Sequence, residues 1–458
     1  MTKILFSNAP WWVKQGDELR IGIRCGSRWP FTRHTVHEPD NFRFGGYLPV
    51  PFFLFSAASY ASRELPDATV EVRDSIARGE SYNTFLDHLD ANRPEWLVLE
   101  SATPCWEHDQ GLIGLIKAHF PEIKIIVCGT IVAGADFKKP ESVYAACKGE
   151  YEKSVVRVIK EQGDLVHLAP MDFDLLTHDE MNALPYPMFD EACAFNYADG
   201  CPKGQRFPQL QVFTSRGCFY KCVWCGWPAT MTGNDPDGTK ARRVRGHTPE
   251  WLEGMLRDRL AKGEAAGNPY QCIYLDDDTF NLNDKHALAI SEVMGRIGLP
   301  WSAMCRADTV KRETWQSMRN AGCFGVKIGF ESGSQRVIDQ IINKKLNLAE
   351  AAETARWLRK IGFTVHGTFT KGMPGETEEE QRMTDNFINE LYATGAIDSH
   401  QLSATAVIEG SPMANMLHSH TALPKYPGAN PENYSALVDG QLGIEQKRAL
   451  PPAAAFTD

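Results

Sequence analysis

Three thiols stand within eight residues of one another in the run Arg216-Gly217-Cys218-Phe219-Tyr220-Lys221-Cys222-Val223-Trp224-Cys225. A structural zinc site takes four closed ligands, commonly two separated pairs, and no second pair lies nearby; Cys201 is the nearest spare thiol. Three thiolates on one loop can instead hold three corners of a [4Fe–4S] cluster and leave the fourth iron open to an external ligand. An open iron implies chemistry rather than stapling, with a zinc site closed by Cys201 as the competing reading. Three other segments carry reactive groups. Asp276, Asp277 and Asp278 precede Thr279-Phe280, a pattern that is by itself a solvated turn or a helix cap. Glu331-Ser332-Gly333-Ser334 is by itself a loop, and Arg306, two residues before Asp308, can either bind a ligand carboxylate through its fork or make a structural salt bridge.

These groups need a frame. From Gln209 to about Pro412, apolar strand candidates (Leu210 to Ser215, Gln271 to Leu275, Trp301 to Cys305, Gly325 to Phe330, Thr364 to Phe369, Gln401 to Val407) alternate with helical patterns at Pro249 to Lys262, Lys311 to Asn320, Leu348 to Ile361 and Thr377 to Ala393. Six strands predict a partial (β/α)6 barrel rather than a closed eightfold one. The first 165 residues alternate in the same way, with near-continuous apolar runs at Trp96 to Leu99 and Ile123 to Val127, as expected of strands buried on both faces. The fold class is therefore α/β: a Rossmann-like, doubly wound parallel sheet over 1–165, a proline-rich connector over 166–208, the partial barrel over 209–412, and a short cap and tail over 413–458. In open parallel sheets ligands sit beyond the carboxyl ends of the strands, which directs attention to Ser101 to His108 and Gly129 to Gly134.

With 458 residues the chain accommodates two or three domains, and 43% hydrophobic with 23% charged residues excludes disordered and collagen-like classes. Its net charge of −10, without an extended Lys/Arg tract, argues against nucleic-acid or anionic-membrane binding. Nothing approaches a membrane span, and the start runs straight into a strand-like segment without an apolar signal core, so a cytoplasmic location and reduced thiols are expected for the twelve cysteines.

The spacing C-x-x-x-C-x-x-C after the first strand of a βα series resembles the radical S-adenosylmethionine (SAM) superfamily. Asp277-Asp278-Thr279-Phe280 is similar to the D-D-x-F segment of its cobalamin-linked branch, Gly329-Phe330-Glu331-Ser332-Gly333-Ser334 to its fourth-strand element, and Arg306-Ala307-Asp308 to its R-x-D. Gly372-Met373-Pro374-Gly375-Glu376-Thr377 and Gly410-Ser411-Pro412 resemble its later turns, where glycine serves turn geometry first. The resemblance implies cluster ligation by Cys218, Cys222 and Cys225. It implies SAM contacts from Tyr220, Trp224, Asp277, Asp278, Arg306, Glu331 and Ser332, with Glu331 at the ribose.

A parallel βα domain ahead of such a core implies cobalamin by the same resemblance. Ser101-Ala102-Thr103 is similar to the S-x-T element, Cys128-Gly129-Thr130 stands where Gly-Gly is common, and Gly149-Glu150-Tyr151-Glu152 is similar to G-E-x-E. Expected cobalamin contacts are thus Ser101, Thr103, Gly129, Thr130, Gly149 and Glu150. The D-x-H-x-x-G element that places histidine below cobalt is missing: His108-Asp109-Gln110-Gly111 has Trp106 in the Asp position and follows the third strand, and the aligned stretch Phe44 to Phe52 carries no imidazole. Tyr47 and Leu48 are expected to cover the lower face, with loop histidines His34 and His37 the nearest alternatives. The long insertion Pro10 to Gly46, rich in Trp, Phe and Arg, either lines a substrate cavity between the domains or plugs them together.

The resemblance implies a methyltransferase acting on an unactivated carbon. In it one electron from the reduced cluster cleaves SAM to methionine and a 5′-deoxyadenosyl radical, which abstracts hydrogen, and methylcobalamin delivers the methyl group. A cobalamin-dependent cyclase or rearrangement catalyst, and an iron–sulfur or zinc protein with a vestigial SAM site, are the alternatives. A methylthiotransferase would need a cysteine triad in the first domain, where Cys25, Cys105, Cys128 and Cys147 are merely spread out. Expected partners are a small-molecule or peptide substrate and an electron donor such as flavodoxin or ferredoxin. No catalytic side chain is assigned.

Overall fold

The computed structural model describes residues 2–15, 17–24, 32–33, 46–134, 137–161, 174–232 and 244–418. Two parallel sheets organise it. The first has five strands, β1 (Thr2–Asn8), β2 (Ala68–Asp74), β3 (Trp96–Glu100), β4 (Lys124–Cys128) and β5 (Ala145–Ala146), in the spatial order β2-β1-β3-β4-β5. All four pairings are parallel. Alternate residues of β3 and β4 enter different cores: Leu97, Leu99, Ile125 and Val127 pack with helices α2 (Tyr82–Asn92) and α3 (Trp106–His119), while Trp96, Val98 and Ile126 join a larger cluster. That division explains the continuous apolar runs, since each face of the sheet has its own cover.

The larger cluster contains α1 (Phe52–Glu64) and α4 (Glu152–Glu161), and it continues into the second sheet through Leu210, Val212 and Leu275. This sheet runs β6 (Gln209–Val212), β7 (Cys272–Leu275), β8 (Trp301–Cys305), β9 (Cys323–Glu331), β10 (Thr364–Lys371) and β11 (Ser399–Ala404), parallel and in sequence order. Helices α5 (Pro249–Ala265), α6 (Asp284–Ile297), α7 (Arg312–Asn320), α8 (Leu348–Lys360) and α9 (Glu378–Ala393) connect the strands. Helix starts follow local chemistry. The Asn283 side chain accepts from the His286 backbone at the head of α6, and Thr377 with Glu380 forms a reciprocal capping box on α9.

The last barrel strand runs Ser399–Ala404 rather than Gln401 to Val407, and two further places differ from the sequence expectation. The first barrel strand stops at Val212 rather than Ser215, because Thr214 and Ser215 turn to bind Asp277; Ser215–Arg216 instead pairs antiparallel with Arg245–Gly246. In the connector, Ala198–Asp199 pairs antiparallel with Tyr47–Leu48, so this stretch is a structural part of the junction and not only a surface linker. Part of the insertion forms an antiparallel trio, Trp12–Gln15, Glu18–Gly22 and Thr32–Arg33. It is anchored on the first domain by buried Trp11 and by Arg24, which ion-pairs with Asp109 of α3. Trp29, Phe31, His34, His37, Phe42, Arg43 and Phe44 lie outside the described residues, as do 162–173 of the connector and the tail from 419.

Candidate functional site

The cysteine loop leaves β6 beyond its carboxyl end and is held by its neighbours' polar groups. The Asp277 carboxylate accepts from Thr214 N (3.1 Å), Thr214 Oγ1 (2.8 Å) and Ser215 Oγ (2.5 Å), and Asp278 accepts from Gly217 N at 2.8 Å. The aspartates expected to face SAM therefore serve first as pegs that shape the loop between strand and cysteines. Burial pushes the Asp278 carboxyl up to about 7, against the lowering by the Gly217 amide. Further along, Val223 N donates to Ile342 O (2.9 Å), Met413 N to Val223 O (2.8 Å) and Asn343 Nδ2 to Lys221 O (3.3 Å).

Among the described residues Cys218, Cys222 and Cys225 are half-buried, whereas Cys105, Cys128, Cys147, Cys193, Cys201, Cys272, Cys305 and Cys323 are buried. The reachable thiols are thus the three on the loop, and Cys201 is enclosed in the junction. No group of three or more His, Cys, Asp or Glu side chains among the described residues converges on a single metal ion. Three thiolates on one loop match the three protein-bound corners of a [4Fe–4S] cluster, with the fourth iron left to an external ligand.

The SAM candidates gather around one short segment. The Arg306 fork binds Asp308 at 2.9 and 2.8 Å, donates to Lys344 O at 3.2 Å, and stacks 3.6 Å from the centre of the Tyr220 ring. The structural salt bridge of the sequence reading exists, two residues away. Glu331 adopts a left-handed φ of 69°, next to a register shift in the β9–β10 pairing, and its Oε1 lies 2.7 Å from Lys344 Nζ. A non-glycine residue held there is strained, and such strain concentrates at functional sites. Ser332 Oγ accepts from Ser334 N at 3.1 Å and lies 3.2 Å from Thr384 Oγ1. Trp224 Nε1 is buried without a hydrogen-bond partner among the described residues.

Sequence reasoning missed Ile342 to Lys345. A π-helical turn, Val337–Ile341, leads into it, and Asn343 and Lys345 are both left-handed (φ 58° and 56°). Its backbone and side chains touch the cysteine loop, Arg306 and Glu331 together. Asn-Lys-Lys after an apolar turn carries no chemical signature, so no pattern in the sequence singles it out.

At the carboxyl edge of the first sheet, most expected cobalamin residues are engaged by protein. Ser101 Oγ donates to Asp109 at 2.6 Å, Thr103 Oγ1 accepts from Glu409 N at 3.1 Å, and the Glu150 carboxylate is held by Arg245 and Arg216. Gly129 has φ 96°, and a Cβ there would meet Ser101 O at 2.3 Å, so glycine is demanded by backbone approach. Thr130 Oγ1, buried, has no hydrogen-bond partner among the described residues. Tyr47 and Leu48 are buried beside β6, whose Gln211 Oε1 accepts from Val50 N at 3.0 Å. His108 cannot turn to a metal without breaking two bonds, since Nδ1 lies 3.0 Å from Asp109 and Nε2 2.5 Å from Tyr82 OH.

Residues 212–388 match the Radical SAM superfamily. The chain's two-sheet architecture is shared with two solved structures. Radical SAM methyltransferase TsrM from Kitasatospora setae, solved with cobalamin and a [4Fe–4S] cluster, superposes with TM-score 0.61 at 16% identity over 83% of this chain and 74% of that one. The cobalamin-dependent SAM radical enzyme OxsB, solved with aqua-cobalamin and SAM, gives TM-score 0.62 at 16% identity over 90% of this chain and 63% of that one. At such identity the likeness concerns the fold. An uncharacterized methyltransferase from Pyrococcus horikoshii is 30% identical over 254 residues, covering 55% of this chain and 50% of that protein; the match spans half of that relative. No helix among the described residues is long and apolar enough to cross a membrane.

Proposed function

We propose that the protein is a cobalamin-dependent radical SAM methyltransferase that methylates an unactivated carbon of a small-molecule or peptide substrate. The observation that carries this reading is the arrangement of three half-buried thiols on one loop, linked through Ile342 to Lys345 to Arg306 and Glu331, with the Thr130 hydroxyl, unpartnered among the described residues, at the edge of the neighbouring sheet. When bound, the cluster would supply an electron to SAM, and cobalamin would supply the methyl group. Cys218, Cys222 and Cys225 hold the cluster, while Tyr220, Trp224, Arg306, Glu331 and Ser332 orient SAM, the Trp224 indole offering an unpartnered donor. Asp277 and Asp278 fix the loop that presents them. On the first domain, the backbone at Gly129 and Gly149 and the Thr130 hydroxyl would hold cobalamin, with Tyr47 and Leu48 beside it.

This assignment allots 1–165 to cobalamin and 209–412 to SAM, in a reducing cytoplasmic setting with a flavodoxin- or ferredoxin-type donor. A methylthiotransferase would need accessible cysteines in the first domain; among the described residues Cys105, Cys128 and Cys147 are buried, and Cys25 lies outside the described residues. Anaerobic reconstitution with iron and sulfide is expected to give an absorbing centre that Cys222→Ala loses; an intact centre in that variant overturns the reading. Reduced protein is expected to convert SAM to 5′-deoxyadenosine, and a product heavier by one methylene separates methylation from cyclisation or rearrangement.

A further inference from the structure

Between the two parallel sheets lies a set of four buried charges, of which only Glu150 was expected among the cofactor contacts. The short pairing of Ser215–Arg216 with Arg245–Gly246 sets Arg216 directly opposite Arg245, and like charges in that position repel. Both arginines are buried, and both turn to the first domain, to the two glutamates at the head of α4. Arg245 forks onto Glu150, with Nη1 2.8 Å from Oε2, and also donates to Leu176 O at 2.5 Å. Arg216 Nη1 lies 2.7 Å from Glu152 Oε1 and 3.5 Å from Glu150 Oε2. Its Nη2 donates to Ser56 Oγ of α1 at 2.9 Å, its guanidinium sits 4.7 Å from the Phe53 ring, and Ser56 Oγ donates in turn to Glu152 Oε1 at 3.0 Å. The side chains of Arg216, Glu150 and Glu152 are at most 1% exposed. Two positive charges thus meet two negative ones across the domain junction.

The placement gives the set its meaning. Arg216 is two residues before Cys218, and Glu150 follows Gly149, in the turn allotted to cobalamin. A buried ion network is seldom more stable than an apolar contact of the same volume, but it tolerates little change of register, because any shift strands a buried charge. We propose that Arg216, Arg245, Glu150 and Glu152 are positioning residues that hold the cysteine loop at a fixed separation from the cobalamin-side turn, so that the two centres address one substrate atom. The inference rests on the assignment of the cluster and cobalamin above. Misplacement of about 1 Å in such an arrangement is enough to cost on the order of a hundredfold in rate, so a clamp at the root of the loop has a clear use.

The test uses full-length protein reconstituted with iron, sulfide and hydroxocobalamin, reduced so that the cluster and cob(II)alamin are both paramagnetic, and reads the dipolar coupling between them by pulsed electron paramagnetic resonance. Wild type is expected to give a single narrow separation. Glu152→Gln and Arg216→Met are each expected to shift or broaden it by about 1 Å or more, and the double variant, which removes both charges of the pair, to recover a narrower distribution than either single change. Should Arg216→Met fail to fold, Arg216→Lys replaces it, keeping the charge and losing the fork. Variants that bind both centres with the wild-type separation overturn the clamp and leave the cofactor assignment standing. A wild type that takes up neither centre overturns both.

Discussion

At the mouth of the six-stranded sheet, the groups that could do chemistry are held in place by other residues. At the carboxyl edge of the five-stranded sheet, they are themselves bonded to other protein groups. Cys218, Cys222 and Cys225 stay half-buried while Asp277, Asp278, Ile342 and Met413 anchor the backbone around them. Ser101, Thr103 and Glu150 are by contrast already bonded to Asp109, Glu409 and Arg245. The first region thus keeps its thiols half-buried on a braced loop, whereas the second commits these side chains to protein partners and leaves the buried Thr130 hydroxyl without one among the described residues.

The largest expected effect tests that contrast directly. Cys218→Ala is expected to reduce SAM cleavage to background, whereas Ser101→Ala leaves cobalamin affinity within about threefold and costs about 1 kcal/mol of stability through the lost hydrogen bond to Asp109. Equal losses in cofactor uptake, read by absorbance titration of each centre, would erase the distinction. Next, Lys344→Met is expected to weaken SAM binding by about tenfold or more, because Glu331 loses its buried partner at 2.7 Å, while the iron content of the reconstituted protein holds. Calorimetric titration with SAM measures this, and unchanged affinity would show that Ile342 to Lys345 supports the fold alone.

Gly129→Ala acts on the other region. With φ at 96° and a Cβ only 2.3 Å from Ser101 O, about 2–3 kcal/mol of destabilisation is expected in denaturant unfolding. A loss below about 0.5 kcal/mol would mean that the turn relaxes freely and that backbone shape there is not tightly specified.

The smallest effect is a pH dependence. Burial at the end of β3 raises the Glu100 carboxyl from 4.5 to about 7, although the Tyr151 hydroxyl bonded to it lowers the value. The folded state therefore holds a proton that the unfolded chain releases near 4.5, so this group's contribution to stability is full below that pH and declines as pH rises to about 7. Thermal unfolding between pH 5 and 8 is expected to show a decline of roughly 2 kcal/mol that Glu100→Gln flattens. A slope unchanged in that variant would assign the dependence to other carboxyls.

Much of the molecule was legible in the chain itself. Strands β3, β4 and β8 and helices α8 and α9 fall where apolar runs, alternation and turn residues put them, because those patterns depend on neighbours close in sequence. The cysteine spacing was equally legible, since three donors within eight residues are brought together by the chain's own connectivity. Gly410 also follows the reading of its turn: its φ is 81°, and a Cβ there would press on Ala133 O at 3.0 Å. Tertiary structure alone decided the partners. That Asp277 shapes the loop, that Glu150 meets arginines 66 and 95 residues further on, and that Lys344 joins Arg306 to Glu331 depends on contacts between distant segments. A carboxylate or ammonium looks the same in sequence whether it ends beside a ligand or a buried ion of opposite charge, and only packing chooses between them.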